Sequence, residues 1–229
     1  MDFSDTTVIM PTLDEEGNIG RILDAMTRYK GISIIVSDDG SSDGTIKEVL
    51  KAGKGNSRIR LLRRKGRERG LTASVIDAVA LVRTAKTIVM DADFQHPPEK
   101  VKEIAAKLDD FDLVVGVRTH VKNWGAWRQF VSGSVALMAY VAFRMRGKAT
   151  CDDMMSGFFG IRTALMKRLI RRKEGFVVPG MKILLDIMRM SDKGVRLGQV
   201  SYSTFHGRMH GESKLGVKHV VYTLRSIYG

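Results

Sequence analysis

The chain has 229 residues, 44% hydrophobic and 28% charged, so it can bury a core as one large α/β domain or two small ones, and this composition excludes a disordered chain. Its 38 lysines and arginines against 25 aspartates and glutamates give a net charge of +13, which favours anionic partners such as nucleic acid, anionic lipid or phosphorylated substrates. The single cysteine, Cys151, excludes an internal disulfide, and Asp2 and Asp5 ahead of the first apolar run argue against a signal peptide.

The first half of the chain alternates short β-rich runs with amphipathic helical patterns. Strands are predicted at residues 6–12, 32–37, 58–63, 87–90 and 111–117. Helices are predicted at residues 16–29, from about residue 44, at 71–83, and from the two prolines at 97 and 98 to residue 108. Beyond residue 124 the pattern indicates longer helices and one late strand at 195–204. This order predicts an α/β fold with a mostly parallel twisted sheet and helices on both faces.

The chain contains no Pro-, Gly- or Ser-rich linker and no internal repeat, so a single domain over residues 1–229 is expected. In a sheet of this kind, ligands bind outside the carboxyl ends of the strands. The polar segments that follow the predicted strands are residues 13–16, 38–42 and 91–96. These segments are therefore the places where chemistry is expected.

The sharpest motif follows a short apolar strand and has two aspartates, Asp91 and Asp93, separated by one residue. Such a pair can direct carboxylate oxygens toward one cation, and Gln95 can add a third oxygen. Hard ions such as Mg²⁺ or Mn²⁺ prefer oxygen ligands and leave positions for substrate phosphates. A metal held there would neutralise the charge on a departing diphosphate. The same pattern also occurs in surface loops and helix caps, so the spacing alone does not decide between the two.

Acidic residues also follow the first two strands, and each has two interpretations. Asp38 or Asp39 can accept hydrogen bonds from a base or ribose, or can shape the turn before Gly40 and cap the next helix. The acids in residues 14–16 can likewise belong to a site or offset a helix dipole. For Glu16 the helix dipole is the preferred explanation.

The longest apolar run, residues 131–143, has 13 positions, whereas a membrane-spanning helix needs roughly 20. Because Arg128 and Arg144 flank it, the run fits either a buried core helix or a segment at a lipid headgroup boundary. We therefore expect no membrane-spanning helix in this chain.

Taken together, the motifs resemble family 2 glycosyltransferases with the GT-A fold, and specifically dolichol-phosphate mannose synthases. The matching segments occur in the expected order over nearly the whole chain. They are residues 11–19, 38–45, 90–99, 122–124, Arg128, 156–159 and 211–215.

The resemblance implies a Rossmann-like nucleotide-sugar-binding half at residues 1–118 and an acceptor-binding, membrane-facing half at 119–229. The residues implied to line the nucleobase and ribose pocket are Pro11, Leu13, Glu15, Val36 and Asp38. The family usually has an aromatic residue at position 13 and an apolar residue at position 37, where this chain has Leu13 and Ser37. Leu13 therefore has no aromatic ring to stack on the base.

For the reacting groups, the resemblance implies that Asp91, Ala92 and Asp93 contact the nucleotide and diphosphate. The implied ligands of a Mg²⁺ or Mn²⁺ ion are Asp91, Asp93 and Gln95. The side chains implied to face the donor diphosphate or the acceptor phosphate are Arg118, Arg128, Lys182, Arg208 and Lys214. Asp91, Asp93, Arg118 and Arg128 are the expected catalytic residues.

The reaction implied is inverting transfer of mannose from GDP-mannose to dolichyl (polyprenyl) phosphate, at the cytoplasmic face of a membrane. A polyprenyl-phosphate glucosyltransferase that uses UDP-glucose is the alternative. Peripheral membrane contacts are expected in residues 131–143, 162–173 and 217–228, unless a membrane-anchoring partner protein supplies the attachment.

Two other classes of protein fit less well. A nucleic-acid-binding protein would explain the positive charge, but the sequence has no helix-turn-helix, RNA-recognition or zinc-finger pattern, so no nucleic acid partner is expected. A Rossmann dehydrogenase is disfavoured because no G-x-G-x-x-G motif follows the first strand.

Overall fold

The computed structural model of the protein describes residues 2–64, 68–121, 126–172, 175–204 and 217–229. Side chains are described for these residues except 120–121, 126–132, 204 and 217–220.

Within these residues, seven strands form one sheet in the order β3-β2-β1-β4-β6-β5-β7. The strands are β1 (Thr6–Thr12), β2 (Ser33–Asp38), β3 (Ile59–Arg63), β4 (Lys86–Val89), β5 (Leu113–Val121), β6 (Phe159–Arg162) and β7 (Leu197–Thr204). All neighbouring strands are parallel except β6, which is antiparallel to both β4 and β5. The prediction of a mostly parallel sheet is confirmed.

Helices cover both faces of this sheet. They are α1 (Ile19–Thr27), α2 (Thr45–Gly53), α3 (Leu71–Val79), α4 (Val101–Lys107), α5 (Ala126–Met145), α6 (Thr163–Arg171), α7 (Ile183–Met190) and α8 (Val217–Tyr228), with a short 3₁₀ helix at Pro98–Lys100. Successive residues of the central strand β1 point to opposite faces. Val8 and Met10 pack in the cluster under α1, α2 and α4, whereas Ile9 packs in the cluster under α3, α6 and α7. Both faces of the strand are therefore buried, as expected for a central parallel strand.

The parallel arrangement directs the carboxyl ends of β1, β2, β4 and β5 to one edge of the sheet. Because β6 is antiparallel, its amino end, with the residues that precede it, lies at the same edge. Residues 13–18, 38–44, 90–96 and 153–158 therefore meet there.

Several elements differ from the prediction, and strand β5, for example, runs over Leu113–Val121 rather than 111–117. Helix α1 begins at Ile19 rather than at residue 16, because Gly17 has a φ angle of 82°, which a helix cannot include. Helix α3 ends at Val79, after which the chain makes two i→i−3 hydrogen bonds. Strand β6 was not predicted. It has only four residues and includes Gly160, where a Cβ atom would lie 2.5 Å from Ile104 Cγ2 in α4.

Helix α5 contains the apolar run at residues 131–143 and has two faces. Ala139 and Phe143 are fully buried, but Leu137, Tyr140 and Val141 are 63%, 41% and 46% exposed. The interpretation of the whole run as a buried core helix is therefore wrong. No helix among the residues described is both long enough and apolar enough to cross a bilayer.

Candidate active site

At the ends of β1 and β2, the two following loops are joined by carboxylates that cap each other's helices. The Glu16 carboxylate accepts a hydrogen bond of 2.9 Å from Gly44 N–H, at the start of α2. The Glu48 carboxylate, in the first turn of α2, accepts bonds of 3.1 Å from Gly17 N–H and Gly20 N–H, at the start of α1. Glu16 therefore does lie at the N-terminus of a helix, as expected, but the helix is the neighbouring α2 rather than α1. Both helix N-termini are covered by protein carboxylates.

The aspartates at the end of β2 are held by the protein itself. Asp38 Oδ1 accepts hydrogen bonds of 3.1 Å from Gly40 N–H and Ser41 N–H, which confirms the turn-shaping interpretation. Asp39 is ion-paired with the buried Arg64 and accepts a bond of 2.8 Å from Gly70 N–H. Asp39 therefore anchors the segment before α3 and is not available to a ligand.

The expected nucleoside pocket residues surround the end of β1. Pro11, Leu13 and Glu15 are half-buried there, and Glu15 N–H donates to Thr45 Oγ1 at 2.7 Å. Val36 is different because its side chain is fully buried in the core. Three of the five expected residues thus present partly exposed surface at this edge, and Asp38 lies buried beside them.

After strand β4, the two aspartates of the motif, Asp91 and Asp93, occupy different environments. The Asp91 side chain is 33% exposed, whereas Ala92 and Asp93 are each only 1% exposed. Asp93 Oδ1 accepts a hydrogen bond of 3.1 Å from Gln95 N–H, and Phe94 between them has a φ of 60°. This tight turn brings both carboxylates and the Gln95 side chain to one edge of the sheet.

His96 is buried directly behind this turn. Its Nδ1 accepts a hydrogen bond of 2.9 Å from Asp91 N–H, so the ring proton is on Nε2. The ring stacks on Phe158 at 5.1 Å and meets the edge of Tyr202 at 6.3 Å between centroids. Burial lowers the pKa of His96 to about 4, so the ring is neutral at pH 7.

Two of the expected basic residues lie around the same turn. Arg118 at β5 makes a bidentate pair with Asp153, with Nε–Oδ2 and Nη2–Oδ1 distances of 2.6 and 3.0 Å. Burial disfavours its charge, but the hydrogen bonds and charge of Asp153 outweigh this and raise the pKa of Arg118. Lys182, just before α7, donates to the Met155 carbonyl at 2.9 Å. The charges of Arg118, Asp153 and Lys182 all act on His96, which places them around one site.

The remaining expected basic positions are not described. Arg208 and Lys214 lie outside the described residues, as does the segment 122–124, and Arg128 lies in α5 without a described side chain.

Comparison with known proteins identifies the family to which this arrangement belongs. The sequence model for glycosyl transferase family 2 matches residues 7–172. The chain belongs to glycosyl transferase family 2. It is 30% identical to a dolichol-phosphate mannosyltransferase of Saccharomyces cerevisiae, over 96% of this chain and 85% of that protein. It is 32% identical to a protein of the same name from Pyrococcus furiosus, over 97% of this chain but only 62% of that longer protein.

Solved structures show the fold of this family 2 glycosyltransferase. Glucosyl-3-phosphoglycerate synthase of Mycobacterium tuberculosis, in complex with Mn²⁺, UDP and phosphoglyceric acid, superposes with a TM-score of 0.72 over 96% of this chain and 78% of that one. The same enzyme in complex with Mg²⁺ and UDP also gives 0.72, over the same shares of the two chains. At 20% and 21% sequence identity these likenesses show the GT-A fold alone, which agrees with the predicted fold class.

The donor atoms around the Asp91–Asp93 turn determine which cation the glycosyltransferase can hold. No cluster of three or more histidine, cysteine, aspartate or glutamate side chains suited to a metal occurs in the part of the chain that the structure describes. The expected set is instead two carboxylates and the Gln95 amide. Such an all-oxygen set with few protein ligands fits Mg²⁺ or Mn²⁺, which take further ligands from substrate phosphates and water.

Asp153 and Tyr202 lie beside the candidate site of this glycosyltransferase, and sequence reasoning missed both. Asp153 pairs with Arg118, and Tyr202 lies close enough to Arg118 and Asp91 for their charges to act on its hydroxyl. The only signal for Asp153 was its place in an acidic pair just before the matching segment 156–159. Tyr202 lies in an ordinary strand pattern and gave no signal.

Proposed function

We propose that this glycosyltransferase transfers mannose from GDP-mannose to dolichyl phosphate, with inversion at the anomeric carbon. The observation that carries this proposal is identity of 30–32% to dolichol-phosphate mannosyltransferases over nearly the whole chain. It is supported by the meeting of Asp91, Asp93, Arg118 and Lys182 at one edge of the sheet. Residues 1–118 would bind the nucleotide sugar and 119–229 the acceptor.

The acceptor phosphate is an anion at neutral pH, so it can attack the sugar without a general base. The task of the protein is then to align two anionic groups, the acceptor phosphate and the donor diphosphate, beside each other. Arg118 and Lys182 would supply positive charge there, because a guanidinium can bind phosphate oxygens through two hydrogen bonds. A Mg²⁺ or Mn²⁺ ion held by Asp91, Asp93 and Gln95 would neutralise charge on the departing diphosphate.

The pair between Arg118 and Asp153 fixes the guanidinium before substrate binds. The Arg118 and Asp153 side chains are only 22% and 11% exposed, and Met155 N–H also donates to Asp153, at 3.3 Å. Asp153 uses both carboxylate oxygens on the Nε–Nη2 side of Arg118, so the orientation of the guanidinium plane is set. Preorganised charge of this kind costs no reorganisation during the reaction.

Helices α5 and α8 would place the site at a membrane surface. Among the described residues, large apolar side chains that are exposed cluster on these two packed helices: Leu137, Met138, Tyr140, Val141, Met145, Val221 and Tyr228, with Leu50 of α2 the exception. Exposed Arg144 and Arg225 lie on the same helices, and exposed Arg146 directly follows α5. An apolar stripe bordered by cations fits the interface of an anionic bilayer.

The basic helix α6 fits this role less well. Lys167 donates to the Val82 carbonyl, and Arg168 and Arg172 pair with Asp192. Arg162, just before the helix, donates to the Asp109 carbonyl. We therefore assign the membrane face to α5 and α8, on the cytoplasmic side, where the lone buried Cys151 suits reducing conditions.

A donor assay tests the reaction. Purified protein is incubated with dolichyl phosphate in detergent, with Mn²⁺ or Mg²⁺, and with either GDP-mannose or UDP-glucose, and lipid products are identified by mass spectrometry. We expect a hexosyl lipid phosphate from GDP-mannose and a β-anomeric product. Product from UDP-glucose alone would overturn the mannosyl assignment in favour of the glucosyl alternative.

Vesicle flotation tests the membrane face. We expect wild-type protein to float with anionic vesicles, less so at high salt, and Leu137→Glu with Val141→Glu to abolish flotation. The matched control is Leu50→Glu, which places the same charge on the exposed apolar residue of α2. Flotation that survives the double change, or wild-type protein that floats only with a membrane protein present, would contradict the assignment.

A further inference from the structure

The His96 side chain turns inward and bonds to the backbone at the start of the segment 91–96. Asp91 N–H donates to Nδ1 at 2.9 Å, and Asp91 Oδ2 lies 3.7 Å from the same nitrogen. The hydrogen bond closes a ring of six residues, 91–96, around Asp93. The backbone that carries the three expected metal ligands, Asp91, Asp93 and Gln95, is thereby tied at its first residue.

The position of the His96 ring is itself fixed by residues from two other strands. Phe158, just before β6, stacks on the ring at an interplanar angle of 14°, and Tyr202 of β7 contacts it edge-on. Phe158 and Tyr202 also contact each other, with centroids 5.6 Å apart. The three rings therefore connect the Asp91–Asp93 turn to strand β7 and to the segment just before β6.

Gly157 completes this enclosure by having no side chain. A Cβ atom there would lie 3.3 Å from His96 Cε1 and 3.5 Å from Asp91 Oδ2. The approach to His96 is tighter than nine in ten real Cβ contacts, so the ring would have to move by a few tenths of an ångström, whereas the approach to Asp91 is an ordinary contact. The backbone of the 153–158 loop thus lies directly against both the histidine and the aspartate.

We infer that His96 is a positioning residue, which holds the backbone of the Asp91–Asp93 turn so that its carboxylates are preset for a divalent cation and the donor diphosphate. The inference rests on the proposed function, because it concerns the cation and nucleotide of the same site. His96 is 5% exposed and acts through Asp91, so it is not itself a ligand or a catalytic residue. Residues that orient metal ligands in this way typically contribute about 10- to 100-fold to metal affinity.

The alternative is that His96 only fills space between Phe158 and Tyr202. Two substitutions separate these roles. His96→Phe keeps an aromatic ring for stacking but removes the acceptor, whereas His96→Asn removes the ring but keeps an acceptor near the position of Nδ1. A third, His96→Leu, has nearly the shape of asparagine and lacks both properties.

The experiment measures Mn²⁺ affinity in the presence of GDP, from the electron paramagnetic resonance signal of free Mn²⁺, together with each variant's melting temperature. We expect His96→Phe and His96→Leu to bind Mn²⁺ about 10- to 100-fold more weakly, and His96→Asn to stay within about threefold of wild type. Gly157→Ala, which leaves His96 in place but crowds it, is expected to weaken binding in the same direction.

Melting temperature and Mn²⁺ affinity are expected to rank the variants differently. Loss of the ring, as in His96→Asn, should lower the melting temperature, whereas loss of the acceptor, as in His96→Phe, should lower the Mn²⁺ affinity. His96→Phe that binds Mn²⁺ like wild type would overturn the inference, as would His96→Asn binding as weakly as His96→Leu. If wild-type protein binds Mn²⁺ with UDP but not with GDP, the proposed donor is wrong, and the same variants measured with UDP decide the inference. No Mn²⁺ binding by wild type with either nucleotide would overturn both.

Discussion

Two groups of carboxylates lie along one edge of the sheet, and they are used in opposite ways. At the ends of β1 and β2, Glu16, Asp38 and Glu48 accept hydrogen bonds from backbone N–H groups of the loops. At the end of β4, Asp91 and Asp93 stand beside the cationic side chains of Arg118 and Lys182. The first group stabilises the loops, and we propose that the second binds the cation and the donor diphosphate.

The difference shows that the position of an acidic residue after a parallel strand does not by itself determine its role. Strand ends leave backbone N–H groups that need acceptors, so carboxylates there often serve the fold. A carboxylate becomes a candidate ligand only when cations and partly exposed surface surround it, as at Asp91. The following substitutions test whether the two groups are as distinct as their contacts indicate.

The largest effect is expected from Asp93→Asn. Asparagine keeps an oxygen that can accept the Gln95 N–H, so the fold should survive, but the charge for the cation is lost. Stabilisation of a leaving group by a metal is worth several kcal/mol, so we expect metal-dependent transfer to fall by about a thousandfold. Steady-state transfer rates, with circular dichroism as the check on folding, measure this.

Asp14→Asn is the matched control from the loops after β1 and β2, where Asp14 is a further carboxylate that accepts a backbone N–H. Asp14 has a φ of 56°, which asparagine tolerates, and its Oδ1 accepts a bond of 2.8 Å from Ser42 N–H that asparagine can also accept. Transfer should stay near the wild-type rate. If the two variants lost activity equally, the contrast between the two groups would disappear.

Next in size is the effect of Arg64→Met, which acts on stability. Arg64 is 3% exposed and pairs with both Asp39 and Asp77, with 2.8 Å from Nε to Asp77 Oδ2. Removing one partner of a buried ion pair leaves an uncompensated charge, so we expect the free energy of unfolding to fall by about 3 kcal/mol. Urea denaturation followed by circular dichroism measures it, and a loss below about 1 kcal/mol would be typical of a surface pair instead.

The fold of the first half could be predicted from the sequence because its strands are short, apolar and separated by clear turns. Strand β1 was predicted with its observed limits, and the Asp91–Asp93 motif was placed at the end of a buried strand. Strand β6 could not be predicted, because four residues give no periodicity and its pairing partners, β4 and β5, are distant in sequence.

Residue spacing predicted the candidate site only where its members are close in sequence, and Arg118 and Lys182 were expected from the family resemblance instead. Asp91, Asp93 and Gln95 lie within five residues of one another, so their spacing was informative. Asp153 is 35 residues from Arg118, and nothing in the local sequence indicates that the two side chains meet. The start of α1 was placed three residues early for a similar reason, because Glu16 bonds across to Gly44.

Arg118→Lys tests whether the bidentate geometry of the Arg118 guanidinium, and not only its charge, matters for transfer. Lysine keeps the charge but cannot make the two parallel hydrogen bonds to Asp153. Losing one hydrogen bond to a charged group costs about 1.5–3 kcal/mol, so kcat/KM should fall by about tenfold to a hundredfold. The matched control is Arg162→Lys, since Arg162 pairs with Asp112 at 3.4 Å and lies away from the site. Equal losses in both variants would show that Arg118 serves only the fold.

The smallest effect is expected from Glu48→Gln, and it tests the loop group most directly. The two Glu48 oxygens each accept one N–H, from Gly17 and Gly20, whereas glutamine offers a single acceptor and no charge. One N–H at the start of α1 loses its partner, so the free energy of unfolding should fall by about 1 kcal/mol. Glu103→Gln, which removes the same charge from a partly exposed pair with Lys100, should cost less than half of that. The affinity for GDP should be unchanged in both variants, because Glu48 already bonds to the start of α1 and Glu103 already pairs with Lys100. A tenfold drop in GDP affinity in Glu48→Gln alone would mean that the loop group also takes part in binding, and the division of the sheet edge into two functions would no longer hold.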